Sequence, residues 1–585
     1  MKIKHLFGLA VIAAMTASCS SNEDLGTAGP GTGTNEAGVG YATFTINLPS
    51  VSGTRVADAG GAEMNEGTEE EYAVKSATAL IFQKYGSDEG SYKFVESVTL
   101  PIDGWTNDET DGITTTSKKL VAKLTNVDTK NDYSVLILLN NTKVALPTVG
   151  QSYNDWNSKN ILTLSATDWA GSDGFYMANA PLKGSAASPT TLVTIDKNKI
   201  YASKAKAEED ASECAATVFV ERGVAKMSVA TPGTTGTIIV KDKANPTATT
   251  KKSEVKFSNW ALDITNKKTY AVHNIDGLSS DFSTIWKTDP SNRFIGTNNR
   301  VYWGTDPNYN LAGLNTADDD NDAKRKEEFN FITATSDINK AFDKPVYCLE
   351  NTFNLANMYQ GQTTRVIFKA KYTPKDDTGA DLADTGGTFY TIGNMTTILK
   401  FADLKTAVDA AADAVLSGCV VDYTNLKKAG SHVITLEDIK ENASSTTHLD
   451  GTTKYGADLK TGDAIVTEIN TKLGLKAGRP EEMVGINTYL EGATYYIARV
   501  KHFGDAKTPW NSGESYGTTK NKEYLGRYGM LRNNWYELKV GNVYGPGYPG
   551  VPPVDPTLPD DENEKYLSVS VKILSWAKRS DTVDL

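Results

Sequence analysis

Two stretches at opposite ends of the chain constrain its fold most. Tyr41 to Leu48 (YATFTINL) alternates without a break: Ala42, Phe44, Ile46 and Leu48 share one side, and Thr43, Thr45 and Asn47 share the other. Leu567, Val569, Val571 and Ile573 alternate in the same way with Ser568, Ser570 and Lys572, and Trp576 follows. A period of two over about eight residues marks a half-buried strand, because successive side chains point to opposite faces of a sheet. Pro49 ends the first strand, since proline cannot donate to the ladder. Both ends of the chain therefore call for sheets to cover them. The plentiful Tyr (27) and Gly (49) of the 585 residues lean towards strands and turns as well.

The residues before and after the first strand read as processing signals. Residues 1–18 form a signal peptide: Lys2 and Lys4 precede the apolar run Leu6 to Met15, which is well short of the ~20 residues that span a bilayer. Thr16-Ala17-Ser18 then places small residues directly before Cys19. That is the pattern of a lipoprotein cleavage site, and Cys19 is the expected lipid attachment point. An ordinary signal peptide with an incidental cysteine is the other reading. Residues 19–40 are rich in glycine and should form a flexible tether. Arg55 is the only Lys or Arg between Lys4 and Lys75, and it lies in a stretch without periodicity. Proteases cut such exposed loops. Cleavage between Arg55 and Val56 would detach lipid, tether and the strand segment 41–55 together.

The rest of the chain divides into an N-terminal β-domain, 56–230, and a C-terminal β-domain, 231–543. Strands are expected over Ala79–Phe82, Lys93–Val98, Ser134–Leu139 and Thr217–Val229, the last of these closing the first domain. Further strands are expected over Gly236–Val240, Val346–Leu349, Arg365–Tyr372, Tyr495–Val500 and Trp535–Val540. Leu404, Val408, Ala411/Ala412 and Val415 follow a period near 3.6, with Gly418 as the C-cap, and Ile465, Ile469 and Leu473 mark a second helix. The fold class is mainly β: two tandem antiparallel β-sandwiches of immunoglobulin or transthyretin type with a few short helices. Residues 544–585 form a proline-rich arm and a last strand. From Gly545 to Asp560 the arm would reach roughly 50 Å at ~3.1 Å per residue.

The two terminal strands have matching apolar faces. Loss of the first would leave an open edge and an apolar groove, and such an edge recruits another strand. The last strand either fills a neighbour's groove, which repeats head to tail as a filament, or pairs within its own chain.

Several separated stretches resemble the type V fimbrillins, the Bacteroidales-type pilins, and among them the major subunit of short fimbriae. They are Gly53-Thr-Arg55-Val-Ala57, Val218 to Lys226 (VFVERGVAK), Val346 to Thr352 (VYCLENT) and Thr364 to Pro374 (TRVIFKAKYTP). Arg532 to Lys539 (RNNWYELK), Tyr566 to Trp576 and the closing Asp581-Thr-Val-Asp-Leu585 complete the set. The resemblance implies a lipoprotein precursor at the outer membrane, an arginine-specific surface protease acting at Arg55, and a donor strand at Leu567 to Trp576. It also implies other copies of the chain and accessory tip and anchor subunits as partners, in a cell-surface fimbria that supports adhesion.

Other classes find little support. A net charge of −12 argues against nucleic acid. No HExxH, CxxC, GxSxG or Walker A pattern appears, so neither an enzyme nor a cofactor is expected. Cys214, Cys348 and Cys419 are too few for a disulfide framework. Asp318, Asp320 and Asp322 begin like a calcium loop, but Ala323 stands where glycine is needed, and a solvated acidic loop is the simpler reading. The alternative is a non-polymerising surface lipoprotein binding glycans or peptides through loop aromatics such as Trp303 and Trp510, or a tip or anchor subunit.

Overall fold

The computed structural model describes residues 33–35, 37–49, 64–65, 67–103, 105, 117–183, 189–209, 214–248, 252–276, 278, 294, 300–393, 395–475, 485–503, 508 and 524–560, and the backbone of 567–576. Cys19, Arg55, Val56 and Trp510 lie outside them.

The protein is mainly β. The first unit contains β1 (Gly40–Asn47), β2 (Ala77–Gln83), β3 (Lys93–Thr99), β4 (Ser117–Leu124), β5 (Tyr133–Leu139), β6 (Met177–Asn179), β7 (Ile200–Tyr201) and β8 (Ala216–Arg222). Its strands run in the order β7-β1-β8-β6-β5-β2-β3, and β4 also pairs with β1. The core holds the whole of β5 with alternate residues of β1, β4 and β8. Every residue of β5 (YSVLILL) is buried, Ser134 included, which fits a strand at the centre of its sheet.

The chain crosses to the second unit at Gly223. β9 (Val224–Val229) follows β8 at once, yet pairs in a different sheet. The run Thr217–Val229, expected to close the first domain at 230, is two strands in different sheets that meet at Gly223. A Cβ on Gly223 would lie 2.5 Å from the Trp169 ring, so the crossover needs glycine.

The second unit continues with β10 (Thr237–Ile239), β11 (Glu254–Asp263), β12 (Val346–Leu349), β13 (Arg365–Thr373), β14 (Phe389–Ile392), β15 (Ile486–Tyr489), β16 (Ala493–Arg499), β17 (Asn534–Val543) and β18 (Leu567–Trp576). One sheet has the order β18-β17-β9-β12, and the other β10-β11-β13-β16. They share one core, with Met227, Leu538 and Tyr536 on one side and Trp260, Phe368 and Tyr496 on the other. This is a sandwich.

Between the neighbouring strands β13 and β16 the chain inserts a small body with its own core. Helix Phe401–Asp413 buries Leu404, Val408 and Ala412, and helix Gly462–Lys472 buries Ile465 and Ile469. Ala414, ahead of Gly418, caps the first of these helices. The expected acidic loop is instead the start of helix Asp319–Glu328, with Asp318 as N-cap accepting from the Asn321 amide at 2.9 Å. Trp303 is fully buried, so it is no exposed contact for a glycan.

Candidate functional site

The first candidate element is β1, and its position follows from its pattern. Ala42, Phe44, Ile46 and Leu48 are at most 1% exposed and lie in the first core. β4 pairs antiparallel along the full length of β1, from Gly40↔Leu124 to Asn47↔Ser117. The opposite edge is shared by β7, antiparallel at Tyr41 and Ala42, and β8, parallel from Phe44↔Ala216 to Asn47↔Phe219. β1 is therefore an interior strand, held on both edges. A Cβ on Gly40 would come within 2.6 Å of Ile200, so the entry of the strand also depends on a glycine.

Its second face is not left to water. Helix Lys204–Glu209 crosses it, and the Thr43 hydroxyl donates to the Ala207 carbonyl at 2.8 Å. The Ala215 amide donates to the Thr43 carbonyl at 2.8 Å. The slot that holds β1 is lined by Leu120, Ala122, Ile200, Ala216 and Val218, all 5% exposed or less. No sequence signal marks these residues, because each is an ordinary apolar position of an ordinary strand. Burial of Phe44, Ile46 and Leu48 contributes roughly 5–9 kcal/mol, at about 1.5–3 kcal/mol for each large side chain.

The second candidate element is β18. It pairs antiparallel with β17 of its own chain, with Val571 opposite Leu538 and Ile573 opposite Tyr536. Val569 is opposite Val540, and Leu567 opposite Val543. The far edge of β18 meets the short strand Met64–Asn65, which pairs in parallel with Ser575 and Trp576. The expectation left open whether this strand pairs within its chain; here it does.

Residues 544–560, expected as a free arm, are strapped to the second unit. Tyr496 and Tyr489 donate their hydroxyls to the Gly545 and Gly547 carbonyls, at 3.0 and 2.8 Å. Tyr548 exchanges two backbone hydrogen bonds with Tyr495. Buried Arg365, paired with Asp263 at 2.8 Å, donates to the carbonyls of Pro552 (2.6 Å) and Pro553 (2.9 Å). At the far end Asp560 is fully buried, with its amide on the Met358 carbonyl and its carboxylate accepting from the Thr363 hydroxyl at 3.0 Å. Proline removes amide donors but leaves carbonyl acceptors, and the strap is held through carbonyls together with the amides of Gly547, Tyr548 and Asp560.

Two clusters of buried charge join the units. Glu221 on β8 meets His273 at 2.6 Å and Arg300 at 2.7 Å. Burial alone would raise its carboxyl, but His273 and Arg300 outweigh that and hold it at about 2. Glu71 meets Lys226 on β9 at 2.7 Å. Among the described residues no group of three or more His, Cys, Asp or Glu side chains is placed to hold a metal. No helix among them is long and apolar enough to cross a membrane.

Comparison with known proteins gives two findings. Residues 487–582, from β15 through β18, match the family model described as "Major fimbrial subunit protein type IV, Fimbrillin, C-terminal". Among solved structures, the chain aligns with the tip fimbrial protein Mfa3 from Porphyromonas gingivalis with a C-terminal truncation. Identity is 10% and the TM-score 0.28, over 92% of this chain and 100% of that one; a likeness at that score carries no argument. No curated protein matches. The strap and the terminal strand pair thus lie within the matched residues, and at residues 487–582 the chain is similar to the C-terminal region of type IV major fimbrial subunits.

Proposed function

We propose that the protein is a structural subunit of a cell-surface fimbria, made as an outer-membrane lipoprotein acylated at Cys19. An arginine-specific surface protease trims it after Arg55. The subunit then polymerises as the C-terminal strand of one copy takes the place of β1 in the next, giving a head-to-tail filament that supports adhesion.

The observation that carries this reading is the placement of β1. It is an interior strand with three large buried side chains, yet its only onward covalent link is the segment that contains Arg55. Cutting there breaks no other connection and leaves a slot flanked by β4 on one edge and β8 on the other. The cut strand is still held by its own burial, so a replacement must bring comparable apolar area. Leu567, Val569, Val571 and Ile573 supply it.

The strap sets where the donor swings. With 544–560 held on its own unit, the donor hinges at Asp560. Six residues, 561–566, link Asp560 to the donor, so a neighbour's slot lies within about 25 Å of Asp560, at ~3.3–3.6 Å per residue.

Arg55→Ala tests the processing step. The expected product is a lipoprotein that keeps residues 41–55 and forms no filaments under the electron microscope. Normal filaments from this variant would reject processing as the trigger.

A further inference from the structure

The slot makes two demands on any strand that fills it. The places of Ala42, Phe44, Ile46 and Leu48 belong to the first core and admit only apolar side chains. The place of Thr43 is different. Its side chain is on the other face, 4% exposed under helix Lys204–Glu209, and its hydroxyl is the donor to the Ala207 carbonyl. A side chain there must be small and must donate, because a buried carbonyl stripped of its donor is penalised. Thr45 and Asn47, on the same face as Thr43, are half-buried, and the Asn47 side-chain amide donates to the Val218 carbonyl at 3.3 Å.

Of the alignments of the last strand within two residues in either direction, one meets both demands. With the donor running as β1 runs and Leu567 at the place of Ala42, the core receives Leu567, Val569, Val571 and Ile573, and Ser568 takes the place of Thr43. Sliding two residues one way keeps a serine there, Ser570, but puts Ser575 at the place of Leu48. Sliding two the other way puts Lys565 on the core. With the donor turned end for end, Ile573 to Leu567 still fill the core, but Lys572 falls at the place of Thr43. That buries an ammonium under a helix that already carries Lys204 and Lys206. The reversed slides put Leu574, which has no donor, at the place of Thr43, or Lys565 on the core. A slip by one residue turns the polar face of the donor to the core.

The remaining alignment agrees along its whole length. Tyr566 falls on Tyr41, Ser568 and Ser570 fall on Thr43 and Thr45, and Lys572 replaces the donor of Asn47. Lys565 falls on Gly40, where a Cβ would already meet Ile200 at 2.6 Å, so pairing starts at Tyr566. Leu567 is larger than Ala42 and Val569 smaller than Phe44, which moves volume between two neighbouring places of one core.

We infer that the donor enters a neighbour's slot in the direction of β1 with Leu567 at the place of Ala42, and that the Ser568 hydroxyl, donating to the Ala207 carbonyl, sets this register. The inference rests on the proposed exchange and specifies its direction and its stopping point.

Disulfide mapping on filaments of the full chain tests it, with Cys214, Cys348 and Cys419 replaced by serine. Phe44 is opposite Leu120 and Ile46 opposite Lys118. The expected pairs between subunits are therefore Val569→Cys with Leu120→Cys, and Val571→Cys with Lys118→Cys, at Cβ separations of ~4.5–5.5 Å. Both should give covalent ladders, and the second pair uses a partly exposed site in case the first disturbs folding. Ladders that favour Val571→Cys or Ile573→Cys on Leu120→Cys would overturn the register and leave exchange standing. Filaments without a ladder from any donor position would reject exchange and the register with it. The hydroxyl has its own readout, because Ser568→Thr and Ser568→Val have the same shape. Ser568→Thr should assemble at the wild-type rate, and Ser568→Val about tenfold more slowly. Equal rates for these two variants would overturn the role given to Ser568.

Discussion

Glu71 is the residue on which the two units meet. Its carboxylate takes Lys226 at 2.7 Å and the Tyr347 hydroxyl at 2.5 Å, and Lys226 in turn lies 3.4 Å from the centre of the Trp535 ring. Neither charged side chain is more than 1% exposed. Burial works to raise the Glu71 carboxyl, and Lys226 and Tyr347 together hold it below its usual range. Burial also lowers Lys226 against the pull of Glu71, so the pair offsets desolvation at the carboxylate and not at the ammonium. It fixes how the units join more than it adds net stability. Removing one partner is different, because a buried charge is then left alone. Glu71→Gln should cost about 3–5 kcal/mol in urea unfolding, and a loss below about 1 kcal/mol would contradict this account of the junction.

Glu221 gives the same junction a pH dependence with a definite sign. Its folded value of about 2 lies below the ordinary ~4.3 of a free glutamate. The stabilisation is therefore complete above about 4.3, and it is lost as pH falls towards about 2. Urea midpoints measured across that window should fall with acid, and Glu221→Gln should flatten the slope. A wild-type midpoint that stays level down to pH 2 would refute the assignment.

At the scale of elements, legibility followed periodicity. β1, β13 and the two helices of the inserted body are readable because their apolar residues repeat at 2.0 or 3.6, and β5 because it is a short continuous apolar run. Partners were not readable. β1 lies parallel to β8, whose paired residues come more than a hundred positions later, and nothing local encodes that contact. Helix Asp319–Glu328 escaped because it has no apolar stripe, although Asp318 and the acidic first turn favour a helix start. The proline-rich segment reads as an extended arm because its missing amides rule out helix and central strand. The partners of its carbonyls, Arg365 and two tyrosines, are distant in sequence.

The strap yields a prediction at this scale. Tyr359 and Pro559 face each other in an isolated antiparallel bridge. A disulfide between Tyr359→Cys and Pro559→Cys would pin the strap while leaving everything after Asp560 free. With the hinge at Asp560, oxidised subunits should still polymerise. Assembly that stops on oxidation and returns on reduction would move the hinge back towards Tyr544.

At the scale of the whole molecule, the strand that the proposed cut would release and the strand proposed to replace it lie in different units. β1 fills the slot in the first unit, and β18 rests on β17 in the second. The short strand Met64–Asn65, downstream of Arg55, sits on the outer edge of β18. The chain between β1 and this short strand therefore links the occupant of the slot to the resting donor. Under the proposed exchange, this arrangement keeps the subunit inert until it is cut.

Disulfide trapping in assembled filaments tests the exchange most directly. In a background with Cys214, Cys348 and Cys419 replaced by serine, cysteines are placed one at a time along 567–573. Each is combined with Leu120→Cys on β4 or with Leu538→Cys on β17. Exchange predicts ladders of covalent multimers with the Leu120→Cys partner and loss of the own-chain Val571–Leu538 crosslink as filaments form. Filaments in which Val571→Cys still closes only onto Leu538→Cys of its own chain would contradict the account.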